Sequence, residues 1–153
     1  MAETGIPSFS EQVCFDLYAA SRAVTSAYRP VLEELGLTYP QYLVLLALWE
    51  QDDRTVKEIA DVLRLDHGTL TPLLRRMENS GLLTRRRSPD DERYVHVALT
   101  PRGAGLSSHA SRIHCGMKEA MGLDDAGLAA LQQTLRLLTA SVSDAPVPDG
   151  SVA

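Results

Sequence analysis

The stretch Thr55-Val56-Lys57-Glu58-Ile59-Ala60-Asp61-Val62-Leu63-Arg64-Leu65-Asp66-His67-Gly68-Thr69-Leu70-Thr71-Pro72-Leu73-Leu74-Arg75-Arg76-Met77-Glu78-Asn79-Ser80-Gly81 holds two short helical patterns separated by a break. Thr55, with Glu58 three residues on, makes a capping box for the first, and Val56, Ile59, Ala60 and Leu63 line one face of it. After Leu65-Asp66, the residues Leu70, Leu73, Leu74 and Met77 recur at i, i+3, i+4 and i+7 and define the inward face of the second; Gly81 ends it. Pro72 lies inside this pattern and removes one backbone hydrogen bond, so either Thr69 is the N-cap or the first turn is distorted. Two β segments follow. Leu82 to Arg87 leads into a Ser88-Pro89-Asp90-Asp91 turn, and Tyr94 to Leu99 alternates with Val95, Val97 and Leu99 on one face. Short helix, turn, helix and hairpin, in that order, spell a winged helix-turn-helix over residues 55–100.

Outward from this lobe the chain is helical. A first helix is predicted from about Ser10 to Leu35, with Ser8 and Glu11 as a capping box and Gly36 as its stop. A second opens at Pro40, runs to about Gln51 and is apolar on most sides, so it is buried. Thr100-Pro101 starts a helix that ends near Gly122. Asp124 or Asp125 caps a last one, along which Leu128, Leu131, Leu135 and Leu138 form a heptad-like stripe. The apolar stripes of 8–36 and 101–142 need partners, which makes them dimerisation helices of a homodimer. Residues 143–153 read as a disordered tail. The fold class is mainly α with a small β-hairpin wing, α+β, over one domain spanning 1–153.

Apolar residues make up 44% of the 153, enough for a core and too many for a disordered chain. The chain start has no apolar h-region of a signal peptide, and the longest clean apolar run, Tyr42 to Trp49, is far too short to span a bilayer. A soluble, cytoplasmic protein with no membrane partner is expected. The two cysteines, Cys14 and Cys115, are no secreted disulfide framework. The net charge of −5 is unevenly spread. Residues 54–102 hold ten Arg or Lys against seven acids, while the rest holds five against thirteen. A basic middle between acidic ends suits phosphate, since charges act over about a Debye length of 8–10 Å.

The outward face of the second helix of the lobe offers His67, Thr69, Thr71, Arg75 and Arg76. Residues near the start of a recognition helix reach base edges, and those further along meet phosphate. The hairpin carries Arg85, Arg86 and Arg87 at its base and Arg93 after its tip, where an arginine can enter the narrow minor groove. Arg85, Arg86 and Arg87 alone read equally well as solvated surface. Fold order, local charge and small polar residues at the helix start coincide, and together they favour double-stranded DNA.

The stretch Leu65 to Glu78 resembles the recognition helix of the MarR family of transcriptional regulators. Arg87-Ser88-Pro89-Asp90-Asp91-Glu92-Arg93, followed by Val95 to Thr100, resembles that family's wing. The resemblance implies that Asp91 positions Arg93 for the minor groove. It also implies a DNA-contacting set of Asp66, His67, Thr69, Thr71, Arg75, Arg76, Arg86, Asp91 and Arg93. Cys14-Phe15-Asp16-Leu17-Tyr18-Ala19-Ala20-Ser21-Arg22, Tyr28, and Gly36 to Tyr42 are similar to the organic hydroperoxide resistance subgroup of that family. On that likeness Cys14 is the redox sensor, Tyr28 and Tyr39 contact its thiolate, and Tyr18 lies beside the site. Some members of the subgroup use a second, distal cysteine to resolve the oxidised sensor across the dimer; Cys115 is either such a resolving thiol or an inert one. His67 stands where a serine is expected from the subgroup.

The residues support part of this independently. A thiol about one turn inside a helix start meets backbone dipoles that favour an anion, and thiolates are what peroxides oxidise. Tyr hydroxyls donate hydrogen bonds, and Tyr18 at i+4 shares the face of Cys14. Tyr28 is fourteen residues on, about 21 Å along a continuous helix, so it meets Cys14 only from the other subunit. A lone cysteine is otherwise more often a small buried hydrophobe. No metal-ligand spacing, cofactor loop or Ser/His/Asp arrangement is present, so neither a metal nor a cofactor is expected, and the chain reads as no enzyme.

The leading reading is a homodimeric repressor on a palindromic operator, released when an organic hydroperoxide oxidises Cys14. One rival keeps the fold but uses a small aromatic ligand near Arg22 and the tyrosines as the trigger. Another, a thiol peroxidase, lacks a CxxC pair.

Overall fold

In the computed structural model, residue 6 and residues 8–145 are described. A 3-10 turn, Phe9–Glu11, precedes α1, Val13–Glu33. The expected capping box at Ser8 does not form: its hydroxyl pairs with that of Ser10 at 2.7 Å, and the N-cap of α1 is Gln12, with no side-chain hydrogen bond. Helix α1 therefore starts three residues later than expected. Helix α2, Tyr39–Glu50, has Thr38 as N-cap in a capping box with Gln41 and Pro40 in its first turn, where a missing N–H costs nothing. As expected it is buried on most sides, through Gln41, Tyr42, Val44, Leu45, Ala47 and Leu48.

The lobe opens with a strand that the sequence pattern does not show. Arg54–Thr55 forms β1, which pairs antiparallel with Val97 and His96. The turn into it is set by Asp52, whose carboxylate accepts the N–H of Asp53 at 2.8 Å and that of Leu99 at 2.9 Å. Asp53 takes the left-handed conformation, φ 56°, tolerated by Asp because its short polar side chain bonds locally. Two residues are too few to show a period of two, so the pattern carried no signal. Helix α3, Val56–Leu63, has the predicted Thr55–Glu58 capping box, with the Glu58 carboxylate accepting the Thr55 N–H at 2.7 Å. Helix α4 spans His67–Asn79, β2 spans Leu83–Arg87 and β3 spans Val95–Leu99. The sheet order is β1-β3-β2, antiparallel throughout.

The single helix expected after Thr100 is interrupted. It appears as α5, Pro101–Gly105, a 3-10 turn, Leu106–His109, and α6, Ala110–Met121. Gly103, Gly105, Ser107 and Ser108 are weak helix formers, and the Ser108 hydroxyl donates to the Gly105 carbonyl at 3.0 Å, competing with the regular ladder. Helix α7, Asp125–Asp144, is capped by Asp124 through the Gly127 N–H at 2.7 Å. Ser143 and Asp144, expected in the tail, belong to α7; residues 146–153 lie outside the described residues.

The chain divides into two units, Met1–Met117 and Lys118–Ala153. In the first, the core joins the end of α1 (Leu32), α2, α3 (Ile59), the inward face of α4, the sheet (Leu83, Val97) and α6 (Ile113, Met117). Leu70, Leu74 and Met77 are fully buried; each such side chain contributes about 1.5–3 kcal/mol of transfer free energy. That is what fixes the opposite face of α4 outward. Two helices lack cover: α1 exposes Val13, Phe15 and Tyr18, and α7 exposes Leu131, Leu135, Leu137 and Leu138 and has no buried residue. Among the described residues, no helix is long and apolar enough to cross a membrane.

Candidate nucleic-acid interface and thiol site

The start of α4 is built by Asp66. Its carboxylate accepts the Thr69 N–H at 2.7 Å and the Thr69 hydroxyl at 3.0 Å, which holds its acid below the usual aspartate range. Neither expected arrangement of this segment occurs. Asp66, not Thr69, is the N-cap, and the helix runs through Pro72. The missing Pro72 N–H leaves only the carbonyl four residues back, at exposed Gly68, without its helical donor. His67, Thr69, Thr71, Arg75 and Arg76 all face solvent, as predicted. Asp66 thus shapes the helix start, and the Thr69 hydroxyl is turned toward its own cap.

The arginines of the wing divide by partner. The Arg85 N–H meets one Glu78 oxygen at 3.0 Å, and its guanidinium meets the other at 3.0 and 2.8 Å. This bidentate pair is half-buried and fastens β2 to the end of α4, and it depresses the Glu78 acid. The Arg86 guanidinium grips both oxygens of Asp53 at 2.8 and 2.7 Å. Opposite Arg86 on β3, His96 has its Nδ1 3.5 Å from Asp53, buried and without a hydrogen-bond partner. The guanidinium groups of Arg76 and Arg87 have neither hydrogen bond nor ion pair among the described residues. At the tip, Asp91 accepts the Arg93 N–H at 3.1 Å and its guanidinium at 3.0 and 2.8 Å. The Arg93 side chain is 86% exposed and points off the wing with its acid at its base. Glu78, Asp52 and Asp53 escaped the sequence reading, because an acid that braces a basic lobe looks from sequence like one that merely dilutes its charge.

The thiol residues form two groups. Cys14 is the second residue of α1, in its first turn rather than one turn inside, and is exposed. Tyr18, one turn on, is exposed, with the Arg22 guanidinium 5.4 Å from its ring centre. Tyr28 and Tyr39 stack at 4.6 Å, and Tyr42 and Trp49 continue the cluster at 5.9 and 6.0 Å. Tyr42 and Trp49 are core, as expected; the Trp49 indole donates to the Gly103 carbonyl at 2.9 Å. Burial, then the neighbouring Tyr39 and Tyr42, push the Tyr28 phenol up to about 12, and burial raises Tyr39. Both therefore remain hydrogen-bond donors at neutral pH. Because α1 is unbroken, the about 21 Å between Cys14 and Tyr28 stands, and one chain does not bring the two groups together. Cys115 lies exposed on α6.

Residues 26–109 match the family model of the transcriptional regulators SarA/Rot. Over 99 residues the chain is 56% identical to the organic hydroperoxide resistance transcriptional regulator of Bacillus subtilis, covering 65% of this chain and 67% of that protein. The structure of reduced AbfR bound to DNA, a protein of Staphylococcus epidermidis, matches with a TM-score of 0.69 at 35% identity, over 85% of this chain and 94% of that one. Disulfide-formed AbfR matches with a TM-score of 0.61 at 36% identity, over 85% and 91%. Bordetella bronchiseptica BpsR, whose DNA binding is regulated by 6-hydroxynicotinic acid, matches with a TM-score of 0.78 at 28% identity, over 93% and 100%. The chain belongs to the MarR family of winged-helix transcriptional regulators.

Proposed function

We propose that this chain is a homodimeric repressor that holds a palindromic operator while Cys14 is reduced and lets it go when an organic hydroperoxide oxidises that thiol. The observation that carries the reading is the split site: an exposed thiol with Tyr18 in the first turns of α1, and a pair of protonated tyrosines too far along the same helix to serve it. In a dimer the tyrosines come from the second subunit, so oxidation acts where the two DNA-reading lobes are spaced. The uncovered apolar residues of α1 and α7 supply the dimer surface. The recognition helices then enter successive major grooves and the wings the minor groove. The protein works in the cytoplasm and needs no cofactor.

The chemistry balances within the site. The Cys14 thiolate attacks the outer peroxide oxygen, the O–O bond breaks, and the hydroperoxide leaves as its alcohol after taking one proton. Cys14 becomes a sulfenic acid. The Cys115 thiol then displaces water from that sulfur to form an intersubunit disulfide; without it, a small thiol caps the sulfenate or oxidation proceeds further. Intact-mass measurement after hydroperoxide treatment, without reductant, is expected to show one added oxygen or a covalent dimer. Cys115→Ser is expected to keep the oxygen adduct and lose the dimer. An unchanged mass with excess hydroperoxide would sink the sensor reading, and turnover far beyond one equivalent would make the protein a thiol peroxidase.

The likeness to BpsR favours a second reading, in which a small aromatic acid near Arg22 and the tyrosines releases DNA and Cys14 is a bystander.

A further inference from the structure

A cleft of about 320 Å³ lies between the start of α4 and the wing, with the first turn of α3 as its third wall. Thr55, Lys57, His67, Thr71, Arg93 and Tyr94 line it, and no acid does. The side chains of His67, Thr71 and Tyr94 have no hydrogen-bond partner among the described residues. The Lys57 ammonium stands 3.5 Å from Asp61, both well exposed, a pair weak enough to exchange for another anion. Cationic and hydroxyl donors thus converge on a concave surface, and three of them, His67, Thr71 and Tyr94, are unpaired among the described residues.

The grooves of a duplex say what fills it. When a recognition helix enters the major groove and a wing enters the adjacent minor groove, the ridge between those grooves is one sugar–phosphate strand. That strand must pass through the space between helix and wing. We infer that this cleft is a backbone seat, in which Lys57 and Tyr94 contact a phosphodiester of the strand that α4 and Arg93 straddle. The inference rests on the repressor reading. It assigns affinity to two residues outside the DNA-contacting set expected from the sequence, Lys57 and Tyr94. His67, which also lines the cleft, then stands beside the backbone as well as the bases.

A phosphate contact carries no sequence information and releases counterions. Binding is measured by fluorescence anisotropy, across a salt series, to two duplexes: one enriched on the wild-type protein from a random pool, and one of arbitrary sequence. Lys57→Ala is expected to weaken both by the same factor, roughly five- to tenfold at low salt, and to flatten the salt slope by about 0.9 per subunit. Lys57→Arg restores the slope. Tyr94→Phe weakens both duplexes roughly two- to fivefold and leaves the slope alone. Lys57→Ala affinity equal to wild type, or loss confined to the enriched duplex, overturns the backbone seat while the repressor reading stands. Wild-type protein that binds neither duplex overturns the repressor reading and this inference with it.

Discussion

Gly103→Ala is expected to destabilise the protein by about 3 kcal/mol or more, lowering the thermal midpoint by roughly 6–12 °C. Helix propensity alone predicts the opposite sign, since alanine in a helix is better than glycine by about 1 kcal/mol. Packing decides. A Cβ at Gly103 would overlap the Leu82 carbonyl oxygen and lie 3.0 Å from its carbonyl carbon and 3.2 Å from a Leu99 methyl. Leu82 is 1% exposed and its carbonyl accepts the Thr100 N–H at 3.1 Å, so it has nowhere to go. Moving α5 instead would break the Trp49–Gly103 hydrogen bond at 2.9 Å. Gly105 is the control: it lies in the same short helix, and a Cβ there meets nothing within 4 Å. Gly105→Ala is expected to be neutral or stabilising by up to about 1 kcal/mol. Thermal denaturation followed by circular dichroism measures both; equal midpoints for the two variants would show that this close approach does not constrain the wing.

Arg93→Ala is expected to weaken operator binding roughly 10- to 100-fold, the scale of one specific arginine contact at about 1–3 kcal/mol. The fold should not change, because the side chain is exposed and braces nothing but Asp91. Asp91→Ala keeps the cation and removes its brace: two guanidinium nitrogens and the Arg93 N–H lose their acceptor. A smaller loss, roughly fivefold, is expected, since the loosened arginine then gives up rotamer freedom on binding, about 1–2 kcal/mol at most. Arg86→Ala separates a contact from a brace. Its bidentate grip on Asp53 implies a role in holding β2 to the turn before β1, so its loss should lower the thermal midpoint as well as affinity. Anisotropy titrations beside thermal scans read the three variants; Arg93→Ala binding as tightly as wild type would remove the wing tip from the interface.

The lobe was legible because its signals are local. The capping box at Thr55, the i, i+3, i+4, i+7 apolar residues of α4 and the strand β3 each lie within a few residues, and each is present in the structure, although of the apolar face expected on β3 only Val97 is buried. What escaped depends on distant partners. β1 exists because Asp52, forty-seven residues from Leu99 in sequence, accepts its N–H. The capping box at Ser8 had the right letters, but the chain there turns as a 3-10 segment, and a cap needs the helix to begin where the letters say. Pro72 raised a doubt that Asp66 resolves, because a strong cap fixes the first turn and the proline costs a single exposed hydrogen bond. For the thiol site, spacing along α1 gave the separation of Cys14 and Tyr28, and the unbroken helix keeps it. The Tyr28–Tyr39 stack is a contact between two helices, which spacing does not encode.

If DNA is held only while Cys14 is reduced, hydroperoxide acts on binding through that thiol alone. The direct measurement is the fraction of enriched duplex bound by wild type and by Cys14→Ser before and after stoichiometric cumene hydroperoxide, with salicylate as a parallel addition. Both proteins are expected to bind when reduced; hydroperoxide should release wild type alone, and salicylate neither. Release of Cys14→Ser by hydroperoxide, or equal release of both proteins by salicylate, would contradict the dependence on Cys14.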